Sequence, residues 1–150
     1  MIVERSISLD ARPEEVWKVI MDPRRLEDWV SIHRELKEAP PGRLRKGSEL
    51  AQSLKVAGQT FDVRWKVTEA ERPRRVTWDG RGPLGTRARV VYELAAEEDG
   101  TRFDYLNEYE LPGGALGAVA GRAVAGKAGR ESERSLALLA DLLAGDTASE

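Results

Sequence analysis

The chain has 150 residues, and its 24 basic and 26 acidic side chains leave a net charge of −2. That length suits one domain with a single core, and the balanced charge argues against a dedicated nucleic-acid binder, whose affinity comes from neutralising phosphates. With no cysteine and a single histidine, His33, the chain excludes disulfides, thiolate chemistry and a Cys- or His-rich metal site.

From Ile2 to Leu9 the pattern alternates, with Val3, Ile7 and Leu9 on one face, as in a half-buried strand. Pro13 opens a short helix whose first turn carries Glu14 and Glu15, where carboxylates suit the helix dipole. Val16, Trp17 and Ile20 form its apolar side. Asp22-Pro23 then supplies the N-cap and first residue of a second short helix ending near Trp29.

From about Glu35 to Leu111 the hydrophobic period is two. Leu50, Gln52, Leu54 and Val56 share a face, Gly58 turns the chain, and Phe61, Val63, Trp65 and Val67 continue that face. Val76 and Trp78 follow the turn at Arg72-Pro73-Arg74. Ala88, Val90, Tyr92 and Leu94 alternate with charged residues. Asp99-Gly100 signals a hairpin, and the last strand places Phe103, Tyr105, Asn107, Tyr109 and Leu111 on one face. One wet face and one buried face predict an antiparallel sheet.

The C-terminal third reads as helix. Leu136, Leu139 and Leu143 form a stripe that Leu138 and Leu142 widen, and Gly145 is the expected C-cap. The stretch before it holds Gly117, Gly121, Gly126 and Gly129, each costing about 1 kcal/mol relative to Ala in a helix interior. That stretch needs tertiary packing, breaks, or moves as a gate. The longest uncharged run, Leu111 to Gly121, has eleven residues, short of the roughly 20 a transmembrane helix requires. The N-terminus has no signal-peptide pattern, so a cytoplasmic protein without stable membrane insertion is expected.

This order of elements resembles the START-like, or Bet v 1-like, helix-grip superfamily and its polyketide cyclase/dehydrase branch. The local sequence carries the resemblance too, in Ala11-Arg12-Pro13-Glu14-Glu15-Val16-Trp17 and Asp22-Pro23-Arg24-Arg25-Leu26-Glu27-Asp28-Trp29. Trp29-Val30-Ser31-Ile32-His33 is similar to a group of small actinobacterial members, some named as toxins of toxin–antitoxin pairs. The resemblance implies an α+β helix-grip fold: a curved seven-stranded antiparallel sheet around a long C-terminal helix, with two short helices between strands 1 and 2. It implies one domain over residues 1–145, a short polar tail at 146–150, and a cavity between sheet and helix for a lipid, quinone or polyketide-like molecule.

The inward face combines aromatic walls with polar groups. Trp65, Trp78, Tyr92, Tyr105 and Tyr109 are candidate walls of a ligand site, and Gln52, Asn107 and His33 are candidates to orient a polar group. Each aromatic serves equally as plain core, since such side chains need no ligand to justify burial. Several polar groups on one buried face are easier to explain beside a hydrated or occupied cavity, because an unsatisfied buried polar group costs about 1–3 kcal/mol. Arg5 shares the inward parity and is expected to reach solvent at a sheet end.

Three functions follow. The first is binding of a hydrophobic or amphipathic small molecule. The second is a cyclase- or dehydratase-type enzyme, with His33 the only acid–base candidate and Tyr105 or Asn107 its partner. The third is an interaction module, pairing with a small protein or a second copy through an apolar patch on the Leu111 to Gly121 segment, which includes Leu116 and Val119. No cofactor is expected: Gly80-Arg81-Gly82-Pro83-Leu84-Gly85 fits G-x-G-x-x-G, but the next segment alternates as a strand and cannot supply the helix N-terminus that a dinucleotide needs.

Overall fold

A computed structural model describes residues 2–56, 58–110 and 116–148, the side chains at 116–125 and 146–148 excepted. The elements run β1 (Ile2–Leu9), α1 (Pro13–Ile20), a 3-10 turn (Pro23–Arg25) leading into α2 (Leu26–Trp29), then β2 (His33–Glu38), β3 (Glu49–Val56), β4 (Gln59–Glu71), β5 (Arg75–Arg81), β6 (Arg87–Glu97), β7 (Gly100–Glu110) and α3 (Leu116–Ala148). The seven strands form one antiparallel sheet in the order β1-β7-β6-β5-β4-β3-β2. This is the α+β helix-grip arrangement expected from the sequence.

Local chemistry explains the elements. Pro13 stands in the first turn of α1, and the Asp22 carboxylate accepts a hydrogen bond from the Arg24 backbone N–H at 3.0 Å, capping the 3-10 turn. β5 and β6 are joined by a 3-10 turn at Pro83–Gly85 that leads into a strand, so the Gly-rich stretch has no nucleotide-binding geometry. Register shifts in β2 and between Val67 and Glu69 of β4 mark bulges, which bend a strand. At Gly80 the Trp65 ring lies so close that a Cβ would stand 2.7 Å from it, so glycine here admits the indole against the sheet.

The core lies between the inner face of the sheet and the helices. Val16 and Ile20 of α1, Leu26 and Trp29 of α2, and Leu136, Leu139 and Leu143 of α3 join Phe103, Tyr92 and Trp78 from the strands. The expected faces hold at Leu50, Leu54, Val63, Trp65 and Val67, all buried.

One expectation changes. Gly145 does not end the helix: α3 continues to Ala148. A single glycine costs about 1 kcal/mol, less than the burial of the leucine stripe just before it contributes. Arg5 does reach partly toward solvent, but it also ties β1 to α3. Its Nε donates to the Glu133 carboxylate at 3.0 Å, and its guanidinium lies where a Cβ on Gly129 would collide with it. Gly129 thus has a packing reason inside the helix. The expected apolar patch at Leu116 and Val119 lies outside the described side chains.

Candidate functional site

The interior is a band of rings. Trp65 meets Trp78 edge to face at 6.1 Å between centroids, Trp78 meets Tyr92 at 5.7 Å, and Tyr92 stacks on Tyr105 at 5.3 Å. Trp29 from α2 closes the band against Tyr92, Phe103 and Tyr105. Such contacts add about 0.5–1.5 kcal/mol each beyond the area they bury. Six of the eight residues singled out from the sequence are fully buried: Gln52, Trp65, Trp78, Tyr92, Tyr105 and Asn107; Tyr109 and His33 are half-buried.

Two small spaces adjoin this band. The inner one, about 30 Å³, is walled by Gln52, Trp65, Trp78, Tyr92 and Val90 from the strands and by Leu26 and Val30 from the α2 side. The outer one, about 20 Å³, is walled on the helix side by Lys127, Ala128, Glu131, Ser132 and Ser135. Both share Ile32, Tyr105, Asn107 and Tyr109. Each has room for about one water. Among the described residues, neither is walled by His33.

Two polar chains run through this interior. In the first, the Trp65 indole N–H donates to Gln52 Oε1 at 2.7 Å. An indole can only donate, so it fixes the amide orientation and leaves Gln52 Nε2 facing His33 Nδ1, also at 2.7 Å. The imidazole therefore accepts at Nδ1 and carries its proton on Nε2. Burial lowers the His33 pKa, opposed by the nearby Glu27 carboxylate, and this favours the neutral ring. In the second chain, Asn107 Nδ2 donates to Ser132 Oγ at 3.4 Å, and the Asn107 side chain also hydrogen-bonds Tyr105. Burial raises the phenol pKa of Tyr92, Tyr105 and Tyr109. All three stay protonated at neutral pH and offer O–H donors.

The pairing of His33 with Tyr105 or Asn107 expected for an enzyme is not assembled. Across β2 and β3, His33 stands opposite Leu54, and Gln52 is the diagonal neighbour on the same face. The ring accepts from Gln52 rather than facing the interior spaces.

Sequence reasoning missed Ser31, Glu131 and Ser135, which fasten the loop after α2 to α3, and Ser132, which meets Asn107 of β7. The Ser31 backbone N–H donates to Ser135 Oγ at 2.9 Å, Ser135 Oγ donates to Ser31 Oγ at 3.1 Å, and Ser31 Oγ lies 2.7 Å from a Glu131 carboxylate oxygen. A signal was available: Ser132 and Ser135 continue the inward helical stripe of Leu136, Leu139 and Leu143, where small hydroxyls on an apolar face require partners.

An antiparallel sheet gripping a long helix, with polar groups beside small interior spaces, defines the α+β helix-grip class of fold. Residues 1–144 match the family model described as "Polyketide cyclase / dehydrase and lipid transport", and the chain belongs to that family. Among curated relatives it is similar to "Toxin Rv0910" of Mycobacterium tuberculosis, 26% identical over 140 residues that cover 93% of this chain and 96% of that protein. It is also similar to "Uncharacterized protein Rv1546" of the same organism, 28% identical over 144 residues with the same shares covered. Among solved structures, TTHA0849 from Thermus thermophilus superposes with a TM-score of 0.78 at 19% identity, over 97% of this chain and 99% of that one. That likeness is one of fold. Among the described residues no helix is long and apolar enough to cross a membrane, and no three His, Asp or Glu side chains gather as metal ligands.

Proposed function

We propose that this protein binds a hydrophobic or amphipathic small molecule between the inner face of the sheet and α3. The observation that carries this reading is the grouping of Gln52, Asn107 and the hydroxyls of Tyr92, Tyr105 and Tyr109 on interior spaces inside an otherwise apolar core. Beside an interior space such groups can meet the polar end of a ligand as well as one another. The family description, with its lipid transport, supports the same reading.

The spaces measure about 30 and 20 Å³. Ligand pockets for drug-sized molecules measure about 300–1,000 Å³, so binding requires a wall to move. The middle of α3 is the wall to expect. Around the outer space it rests on Ala128, Ser132 and Ser135 and on hydrogen bonds to Ser31, each with a net value of about 0.5–1.5 kcal/mol.

Native mass spectrometry tests this, on the purified protein and again after incubation with a total lipid extract. A discrete adduct at one molecule per chain is expected, weakened in Val90→Phe, which fills the inner space. Bare protein mass in both spectra, with no saturable adduct, would overturn the reading.

The relatives named toxins favour a second reading, a protein partner. Co-purification of a small protein at fixed stoichiometry supports it, and a lone chain in gentle lysates counts against it. An enzyme of the cyclase or dehydratase type would have to use His33, whose Nδ1 is already engaged by Gln52.

A further inference from the structure

Trp78 walls the inner space and is 2% exposed, and among the described residues its Nε1–H has no hydrogen-bond partner; the Trp29 indole N–H also lacks one but does not border that space. Trp65, the neighbour of Trp78, presents the contrast, because that indole N–H is spent on Gln52. An indole N–H cannot accept and cannot ionise near neutral pH, so an unmatched one in the core wants an acceptor and nothing else. Leaving it unmatched carries a penalty of about 1–3 kcal/mol, and the space that Trp78 lines has volume for about one water-sized group.

The rest of the wall narrows the chemistry of whatever meets that donor. The inner space is bounded by Leu26, Val30, Ile32, Leu54 and Val90, by aromatic rings, and by the amides of Gln52 and Asn107, with no Lys, Arg, His, Asp or Glu among its described residues. The charged neighbours Lys127 and Glu131 border only the outer space. A carboxylate or ammonium placed beside Trp78 would be buried without a counter-ion, a cost that a neutral group avoids.

We propose that Trp78 is a specificity-determining residue whose indole N–H donates to a neutral acceptor, a ketone- or ester-type carbonyl oxygen, at the deep end of an apolar ligand. This rests on the small-molecule reading above and adds to it which end of the ligand enters first and what that end carries. Tyr92, which stays protonated, lines the same space, so the deep end supplies hydrogens and the ligand supplies lone pairs. A carbonyl oxygen at this place satisfies the donor, whereas a hydrocarbon leaves it stranded. A site built to donate discriminates against analogues that lack the acceptor.

Three probes of one shape separate the possibilities: 2-acetylnaphthalene, 2-isopropenylnaphthalene, which replaces the carbonyl oxygen by a methylene, and 2-naphthoate, which replaces the methyl ketone by a carboxylate. Each is titrated into the full-length protein labelled with ¹⁵N, and the four indole N–H cross-peaks of the four tryptophans are followed. The ketone is expected to bind about three- to tenfold more tightly than the alkene and more tightly than the carboxylate. It alone should move the Trp78 indole proton downfield. In Trp78→Phe the ketone and alkene should bind alike. The wild-type cross-peak carries the test even if that variant does not fold.

Equal binding of ketone and alkene with an unmoved Trp78 cross-peak would overturn the role of Trp78 while leaving the small-molecule reading intact. Tightest binding of the carboxylate with the Trp78 cross-peak displaced would overturn the neutral-acceptor assignment. Binding of none of the three would overturn the proposal, and a bare mass spectrum after lipid incubation would take the small-molecule reading with it.

Discussion

The two described stretches of α3 face the same sheet with different chemistry. From Leu136 to Leu143 the inward positions are leucines, with Leu139 fully buried and Leu136 and Leu143 3% exposed. From Ala128 to Ser135 the inward positions are Ala128, Ser132 and Ser135, and the outer space lies against them. The first stretch gains stability from apolar area, at roughly 1.5–3 kcal/mol for each fully buried leucine. The second is held by hydrogen bonds to Ser31 and Asn107 and by the Arg5 guanidinium packed over Gly129. One end of the helix anchors it, and the neighbouring stretch can part from the sheet at a smaller cost. The proposed ligand binding needs that division, since the ligand must enter without unfolding the chain.

The comparison can be broken most forcefully at the anchor. Leu139→Ala should destabilise the fold by about 2–5 kcal/mol, because it removes a fully buried side chain and leaves a void. Urea unfolding measures this, and ligand affinity per folded molecule should stay the same. A loss below about 1 kcal/mol would show that the leucine stripe is not the anchor.

Ser135→Ala acts on the other stretch. It removes the acceptor of the Ser31 backbone N–H, with an expected cost of about 1–3 kcal/mol in stability. Unlike Leu139→Ala, it should also accelerate ligand association and dissociation, read by stopped-flow fluorescence. Unchanged rates would mean that the serine contacts do not hold the entrance.

The smallest effect concerns pH. Burial holds the His33 pKa below its unfolded value, so the unfolded chain binds more protons between the folded and unfolded values. The His33 contribution is therefore fully present above the unfolded value near 6.5, and stability falls as pH drops through the window below it. In Gln52→Leu the ring loses its partner, and an NMR titration should show its pKa moving. An identical His33 titration in wild type and variant would contradict the hydrogen bond to Gln52.

How much of this was legible in the sequence depends on the kind of contact. Alternation fixed the inward faces of β3 to β7, because a period of two sends Leu50, Val63, Trp78, Tyr92 and Phe103 to the side the core requires. The edge strand β2 was blurred: its residues are half-buried or exposed and its register with β3 shifts twice, so the meeting of His33 with Gln52 had no clean periodicity behind it. The serine fastening joins residues 104 positions apart, a distance over which no local pattern speaks. Nor could composition reveal that Trp65 and Trp78, alike in sequence terms, differ in that one indole N–H is satisfied and the other is not.

Amide hydrogen exchange along α3, measured with and without a bound ligand, tests the central claim most directly. In the free protein, residues 128–135 should exchange faster than residues 136–143, and ligand should slow the first stretch, together with Ser31, far more than the second. Equal exchange in both stretches, unmoved by a ligand that demonstrably binds, would contradict the account of α3 as an anchor joined to a wall that opens.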